Sequence, residues 1–351
     1  VQVVRREQPS PLKLLYSSST MSATVYDISG NEMDQSNEPL PLSDKHYLIF
    51  AVGLLSPICN PSDSTMAFYE PIRNKWTECQ KLPSIRGRNG VAVCGRKIYA
   101  IGGNDSKERL KTCDVYDSET DQWTEARNLN SVRSAMATGV IDGKIYVAGG
   151  YDGRSALDSM EMLNPSDPEP AWTMAQQMSK LRGAPASCVL NGMLYVIGGY
   201  VGIHQIHKDG EFFNPATNTW TAIAPMRHRR CRFGATVLNG QIYVAGGFDG
   251  TAFLRDLERY DPVTNTWTVL KQMKERRSRA SLAVSGGKLY VFGGFDGLQN
   301  LTSVEMYDPQ TNTWIYRADM IAHSGGISVG CLPIPALISL SLANPETDHL
   351  D

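Results

Sequence analysis

Arginine recurs at a fixed place along this 351-residue chain, and it is the residue type with the most evident chemistry. One set lies 10 residues after successive tryptophans and 16 residues before pairs of glycines: Arg86, Arg133, Arg182, Arg230 and Arg277. A partial second set follows two residues later: Arg88, Arg232 and Arg279. A planar guanidinium binds carboxylates and phosphates through paired, charge-assisted hydrogen bonds. Both sets therefore predict contacts with an acidic or phosphorylated partner.

The arginine spacing also fits a structural role. Some of these side chains could instead tie neighbouring units together, or cap loops against backbone carbonyls. Ser324 takes the place of the first arginine set in the last repeat, so that set is interrupted there. The spacing alone leaves both alternatives open.

The residue that directly follows each glycine pair is mostly aromatic. These residues are Asn104, Tyr151, Tyr200, Phe248 and Phe295. Aromatic anchors beside arginines are typical of peptide-binding surfaces, so we expect the two groups to share one opening. The alternative is that the rings only pack beneath the loops.

Cys231 lies in a dense basic run, Arg227-His-Arg-Arg-Cys-Arg232. Neighbouring cations favour a thiolate, so the sequence predicts a reactive thiol there, the alternative being an ordinary loop thiol. The cysteines number seven and none has C-x-x-C spacing, which disfavours disulfides and structural zinc. We therefore expect no metal, no cofactor and a reducing compartment, the cytoplasm or the nucleus.

Three further sets of regularly spaced residues, which we call ladders, define the elements that must position these residues. Every tryptophan falls on the first, with gaps of 47 to 49 residues: Trp76, Trp123, Trp172, Trp220, Trp267 and Trp314. The glycine pairs form the second: Gly102-Gly103, Gly149-Gly150, Gly198-Gly199, Gly246-Gly247 and Gly293-Gly294, preceded by the degenerate Gly53-Leu54. The third holds Tyr69, Tyr116, Phe213, Tyr260 and Tyr307, with Leu163 in the third repeat. Six registered copies predict a repeat architecture.

Each repeat has the pattern of four short strands. The apolar run 144–148 ends at a glycine pair, and an earlier run reaches it through Asp142-Gly143, a dipeptide typical of hairpin turns. Two more strands follow, like those around Tyr260 and Trp267. No segment sustains a helical period. The sequence therefore predicts an all-β fold, a six-bladed β-propeller of four-stranded antiparallel blades.

The ladders resemble the kelch repeat. The resemblance lies in Ile-Tyr-Val-Ala-Gly-Gly-Tyr-Asp-Gly at 145–153, and in Glu-Arg-Tyr-Asp-Pro and Asn-Thr-Trp within 258–267. It covers residues 47–333 and is closest to the C-terminal propeller of BTB-kelch (kelch-like) proteins. It implies that the residues after each glycine pair, and those five positions further on, line a substrate pocket. The latter are Arg109, Ala156, Gln205, Phe253 and Asn300.

The same resemblance implies a function. Such propellers are substrate receptors of cullin-RING E3 ubiquitin ligases, engaged through BTB and BACK domains that this chain does not include. We therefore expect a non-enzymatic protein-interaction module that binds a short acidic or phosphorylated peptide segment. The alternative is an actin-binding, cytoskeletal kelch scaffold. An enzyme would need ligand or catalytic residues that the sequence does not show.

The ends of the repeat region predict how the ring closes. No innermost strand precedes Gly53, whereas a spare strand, 324–331, follows Trp314. We predict that this C-terminal strand joins the first blade, giving a propeller over 47–333 between a linker, 1–46, and a tail, 334–351. The inter-blade connections and the loops after the glycine pairs share one face. That face carries the variable segments, so we expect the partner to bind there.

The overall composition excludes two classes of partner. The net charge is −2, which gives no general attraction to nucleic acid or to an anionic membrane. No apolar stretch reaches the roughly 18 to 20 residues that a membrane-spanning helix needs. Because 42% of the residues are hydrophobic and 20% are charged, the chain can bury a large core.

Overall fold

The computed structural model describes residues 47–53, 66–105, 107–202, 205–320 and 327–333. These residues form six four-stranded antiparallel sheets, which confirms the predicted six-bladed propeller. The predicted linker, 1–46, and tail, 334–351, lie outside the described residues. None of the residues described forms a helix long and apolar enough to cross a membrane.

The blades follow the chain in order. The first contains β1 (Tyr47–Val52), β2 (Met66–Glu70) and β3 (Lys75–Glu78), and the second contains β4 (Gly90–Cys94), β5 (Lys97–Asn104), β6 (Arg109–Asp117) and β7 (Gln122–Ala126). The third contains β8 (Ala137–Ile141), β9 (Lys144–Ala148), β10 (Met160–Leu163) and β11 (Thr173–Ala175). The fourth contains β12 (Ala186–Leu190) and β13 (Met193–Ile197), then the small ladder of β14 (Tyr200–Gly202) and β15 (Gln205–Ile206), then β16 (Gly210–Asn214) and β17 (Thr219–Ile223). The fifth contains β18 (Gly234–Leu238), β19 (Gln241–Ala245), β20 (Leu257–Asp261) and β21 (Thr266–Val269), and the sixth contains β22 (Ser281–Ser285), β23 (Lys288–Phe292), β24 (Val304–Asp308) and β25 (Thr313–Arg317). Finally, β26 (Ser328–Pro333) completes the first blade.

The closing strand β26 is the innermost strand of the first blade. It pairs antiparallel with β1 over six residues, from Tyr47 opposite Pro333 to Val52 opposite Ser328. This confirms the predicted closure by a C-terminal strand. The predicted start at Ser324 lies outside the described residues.

The tryptophan ladder ties each blade to the one before it. Every indole Nε1 donates to a backbone carbonyl of the preceding blade at 2.8–3.3 Å. Trp76 donates to the carbonyl of Ala318, so the same bond joins the sixth blade to the first. Six apolar clusters each span one pair of neighbouring blades. The core is therefore a ring of inter-blade contacts, as expected for a stacked repeat that cannot bury its faces alone.

The glycine pairs stand where two blades approach most closely. Gly149 and Gly150 have φ of 63° and 94°, a region that glycine enters at little cost. A Cβ on Gly149 would lie 2.6 Å from the carbonyl oxygen of Arg182 in the next blade. Any side chain there would therefore separate the third and fourth blades.

Candidate functional site

The first arginine set is interior. Arg86, Arg133, Arg182, Arg230 and Arg277 are only 0–1% exposed. Each donates from Nη1 to the carbonyl of the first glycine of its own blade's pair, at 2.7–3.0 Å. The backbone carbonyls of Arg133, Arg182, Arg230 and Arg277 accept the N–H of the second glycine in the preceding blade's pair. The prediction that these five bind a partner is therefore wrong, because the side chains are buried and donate from Nη1 to carbonyls inside the propeller. The structural alternative holds for this set.

A buried carboxylate faces each of these arginines. The acids are Asp114, Glu161, Glu211, Glu258 and Glu305, each paired with the arginine of its own blade. Sequence reasoning missed them, although each lies 28 or 29 residues after its arginine and two before the third-ladder residue. The first blade lacks both partners, since Ala67 stands at the acid position and Ser324 at the arginine position. Because the arginine and the acid are lost together in the same blade, the sequence alone could have indicated that the two residues pair.

The second arginine set lies around the central channel. Arg88, Arg232 and Arg279 have φ of 54°, 57° and 62°, and Ala135 and Ala184 occupy the same register with φ of 50° and 46°. Four backbone hydrogen bonds of 2.6–3.1 Å link these five residues in series from Arg88 to Arg279, and each later N–H donates to the carbonyl of the residue one blade earlier. Left-handed non-glycine residues cost about 1–2 kcal/mol each and need support from their surroundings. This hydrogen-bonded chain supplies that support and fixes the three arginines at one end of the channel.

These arginines line a cavity of about 600 Å³ at the channel entrance. Arg109, Tyr151 and Tyr200 line it too, and we call Arg88, Arg109, Arg232, Arg279, Tyr151 and Tyr200 the mouth. Within the described ranges, no carboxylate pairs with any of the four guanidinium groups.

The mouth arginines repel one another. Burial, reinforced by the charges of Arg232 and Arg109, lowers the pKa of Arg88. Burial, with the charges of Arg88 and Arg232, likewise lowers the pKa of Arg279. Like charges held together without a counter-charge favour an anionic ligand, because it relieves their repulsion.

The two tyrosines form the aromatic side of the mouth. Their ring centroids lie 6.4 Å apart, and the guanidinium carbons of Arg109 and Arg232 lie 5.5 and 5.9 Å from the rings of Tyr151 and Tyr200. The Tyr200 ring rests on Gly183, where an ideal Cβ would lie 2.7 Å from the ring carbons. The structure thus brings these two tyrosines and the mouth arginines together. Asn104, at the same register in the second blade, also lines the cavity.

The phenylalanines at this register occupy a different position. Phe253 packs against Phe248 with tilted rings and against Phe295 edge-to-face, with centroid distances of 5.1 and 5.5 Å. The guanidinium carbon of Arg279 lies 5.6 Å from the ring of Phe295, while Asn300 pairs with Phe295. Of these five residues, Arg279 alone lines the cavity. The phenylalanines therefore pack beneath the loops and support Arg279, as the alternative held.

The prediction for Gln205 is displaced by one residue. The pairs Tyr151 with Ala156 and Phe248 with Phe253 are five residues apart, whereas Tyr200 pairs with Ile206. The loop of the fourth blade is thus one residue longer. Gln205 is exposed and does not line the cavity described here.

Cys231 is an interior thiol. It is 2% exposed and its S–H donates to the carbonyl of Phe248 at 3.6 Å. Burial raises the pKa of Cys231 to about 11, and this outweighs the opposing effect of the Arg232 charge. The prediction of a reactive thiol is therefore wrong. Cys231 does lie beside Arg232, but the thiol is also buried, and burial disfavours the thiolate more than the arginine favours it. Among the residues described, no group of three or more His, Cys, Asp or Glu side chains could hold a metal ion.

Comparison with known proteins finds two matching family models. One, described as the KLHDC2/KLHL20/DRC7 Kelch-repeats domain, matches residues 45–232, which is more than half of the chain. The other, described as the Kelch motif, matches residues 229–274 and 276–321. The chain is also similar to a solved structure described as "Structure of YjhT", with a TM-score of 0.66 and 14% identity over 80% of this chain and 98% of that chain. At that identity the likeness shows the fold alone.

Proposed function

Because the chain belongs to the kelch-repeat family that the KLHDC2/KLHL20/DRC7 Kelch-repeats domain model describes, we propose that its mouth binds a short acidic or phosphorylated segment of a target protein. A kelch propeller is typically a protein-interaction module. The proposal specifies the surface and the charge of the partner. It assigns the protein a binding role without catalysis.

The unpaired guanidinium groups of Arg88, Arg232 and Arg279 carry this proposal. They come from three different blades and converge on one cavity without a carboxylate partner among the described residues. Each of the five buried arginines pairs with a carboxylate of its own blade. The mouth arginines differ from them in lacking such a carboxylate among the described residues. A carboxylate or phosphate of a bound partner would give the mouth arginines the kind of ion pair that the buried arginines form inside the propeller.

The aromatic side of the cavity suits an uncharged part of the same segment. Tyr151 and Tyr200 offer ring faces there, beside the small side chains of Ala135 and Ala184. Rigid aromatic side chains bind peptide groups at low entropic cost, and central aromatic and arginine residues dominate many interfaces. The segment would therefore place its anionic side chains on the arginines and its neighbouring residues on the tyrosines.

A substrate-receptor role for a cullin-RING ubiquitin ligase is the cellular context we propose. It is supported by the resemblance of the repeats to BTB-kelch propellers, and it would operate in the cytoplasm or nucleus. In that role the propeller selects the target, and separate domains engage the ligase.

An array of immobilised peptides tests the proposed binding. It would contain acidic sequences, their phosphoserine versions, and copies with Asp and Glu changed to Asn and Gln. We expect the wild-type chain to bind acidic or phosphorylated spots and not their neutral copies. Arg88→Ala and Arg279→Ala should lose these spots.

Arg154→Ala is the matched control, because Arg154 is an exposed arginine of the same face that does not line the cavity. It should bind as the wild type does. Equal binding to charged and neutral copies would overturn the proposal. Co-sedimentation with filamentous actin that survives both mouth substitutions would support the scaffold alternative instead.

A further inference from the structure

Three of the mouth arginines stand on one compact ring around the channel. Residues of this ring that are joined by a single backbone hydrogen bond lie roughly 5–6 Å apart at Cα, so opposite positions in a ring of six blades lie roughly 10–12 Å apart. Arg88 and Arg232 are three links apart and therefore face each other, while Arg279 is the next link after Arg232. Because all three line the same cavity, their side chains can bind one group at the same time.

The donors of these three side chains are free for a ligand. Arg86, in the buried set, uses Nε, Nη1 and Nη2 in hydrogen bonds within its own blade. Among the described residues, the guanidinium groups of Arg88, Arg232 and Arg279 form no hydrogen bond and no ion pair. Each guanidinium carries five N–H donors. The mouth therefore holds a concentrated set of charged donors with nothing to accept from them.

The hydroxyl groups of the channel add no donor to this set. Four of them line the cavity, two or three residues further along the innermost strands than the ring: Thr138, Ser187, Ser281 and Ser328. Each donates its hydrogen to a backbone carbonyl. An anion in the cavity is therefore held by the arginines at the entrance and not by the channel below.

A group with three oxygens and two charges fits these arginines better than a carboxylate does. A carboxylate has two oxygens and one charge, so it cannot give each of the three guanidinium groups its own oxygen. A phosphomonoester has three terminal oxygens and a charge of about −1.5 to −2 at pH 7. The additional charge also relieves more of the mutual repulsion that, with burial, lowers the pKa of Arg88 and Arg279.

We propose that the mouth selects a phosphorylated side chain of the target segment over the carboxylate of aspartate or glutamate. This inference rests on the proposed function and narrows its ligand to a phosphomonoester. Arg88, Arg232 and Arg279 would each bind one phosphate oxygen. Arg109 lies in the same cavity, and its buried Nε has no hydrogen-bond partner in the described part of the chain. Binding of the target would then follow its phosphorylation by a kinase.

One peptide made in three versions tests this selectivity. The peptide that the array binds best is synthesised with phosphoserine, glutamate or serine at its central anionic position, and fluorescence polarisation gives each dissociation constant. At pH 7.5 we expect the phosphoserine version to bind at least about tenfold more tightly than the glutamate version. Equal or tighter binding of glutamate would overturn the phosphate assignment and leave the proposed function standing. No binding of either charged version would overturn both.

The charge of the phosphate gives a second readout. Because its second pKa is about 6, roughly a quarter of the phosphate is the dianion at pH 5.5, against nearly all of it at pH 7.5. We expect the phosphoserine peptide to bind about fourfold more weakly at pH 5.5, whereas the glutamate peptide, with a pKa near 4.3, should keep its affinity. An equal loss in both peptides would come from the protein and would count against recognition of the dianion.

Alanine at a ring position gives a variant that keeps the fold. Ala135 and Ala184 already occupy this register with a left-handed backbone, so Arg232→Ala should fold as the wild type does. It should bring the dissociation constants of the phosphoserine and glutamate peptides to within about threefold of each other. Arg154→Ala, outside the cavity, should keep the wild-type preference. An undiminished preference in Arg232→Ala would overturn the three-arginine site.

Competition distinguishes a phosphorylated segment from free phosphate. The unlabelled phosphoserine peptide should displace its labelled copy at a concentration at least about a hundredfold lower than inorganic phosphate requires, because its flanking residues also contact the tyrosines. Displacement by inorganic phosphate at the same concentration as the peptide would indicate a site for the free anion and overturn the assignment to a target segment.

Discussion

Arg133 donates from Nη2 to Oε1 of Glu161 at 2.7 Å, and both side chains are fully buried. The same guanidinium donates to the carbonyls of Gly149 and Ser159, while Glu161 accepts the backbone N–H of Asn130. One ion pair thus connects the inter-blade connection, the glycine corner and β10. Its equivalents in four other blades make it the structural core of the repeat.

Removal of one partner of this pair should be strongly destabilising. Arg133→Ala leaves Glu161 charged and buried, which typically costs about 3–5 kcal/mol. The double substitution Arg133→Met with Glu161→Met should cost less than the sum of Arg133→Met alone and Glu161→Met alone, because no buried charge is left unpaired. Urea unfolding followed by tryptophan fluorescence measures both. Additive effects in the double variant would show that the two residues act independently.

Loss of the closing strand should open the ring. A chain that ends at residue 326 lacks β26, so β1 becomes an exposed sheet edge and the inner face of the first blade is uncovered. We expect a lower melting temperature and self-association, measured by calorimetry and light scattering. A chain that ends at residue 333 keeps the strand and should match the full chain in both measurements. A 326-residue chain that melts like the full chain and associates no more than it does would contradict the closure.

Cys231 should react slowly with alkylating agents. Its thiol is buried and its pKa is raised to about 11, so little thiolate exists at neutral pH. Cys94 is half-buried and should be labelled sooner. A time course of iodoacetamide labelling with peptide mapping measures the order. Labelling of Cys231 ahead of Cys94 would restore the expectation drawn from its arginine neighbours.

His207 should make the stability of the fold depend on pH. Its backbone carbonyl accepts from Arg230, the role that Leu157 and Leu254 fill in other blades. Its Nε2 donates to the carbonyl of Leu181 at 3.1 Å. Burial, with the nearby charge of Arg182, lowers the pKa of His207 below its ordinary value of 6.5, despite the opposing charge of Asp209.

The sign follows from proton binding. As the pH falls below about 6.5, the unfolded chain binds a proton at His207 before the folded protein does, so the free energy of unfolding decreases until the lowered pKa is passed. Above 6.5 this contribution is fully present. Urea midpoints at pH 7.5 and 5.5 should differ less in His207→Leu than in the wild type. The same difference in both proteins would rule out a part for His207.

The sequence predicted the architecture well because its ladders record packing directly. Tryptophan and paired glycine are required where blades meet, so their spacing counts blades. The closing strand followed from a missing strand near Gly53 and a spare one after Trp314. The arginines were harder, since the same periodicity suits an interior ion pair and a surface ligand. What distinguishes Arg86, which forms an ion pair inside the propeller, from Arg88, which lines the mouth, is the acid two residues before each third-ladder residue.

Two features depended on three-dimensional details that spacing does not encode. The loop after Tyr200 is one residue longer than its counterparts, so counting five positions gave Gln205 where the fold uses Ile206. The burial of Cys231 results from its pairing with Phe248, a contact between two segments 17 residues apart. In both cases the strand and loop pattern of the segment was predicted correctly, but the residue with which it pairs in the neighbouring segment was not.

The affinity of the mouth for an acidic peptide tests the central claim most directly. The tightest peptide from the array would be labelled with fluorescein and titrated against the wild-type chain, the double variant Arg88→Ala with Arg279→Ala, and Arg154→Ala. Loss of two charge-assisted contacts of about 1.5–3 kcal/mol each predicts at least a hundredfold weaker binding by the double variant, and Arg154→Ala should match the wild type. An unchanged dissociation constant in the double variant would contradict the assignment of the mouth as the binding site.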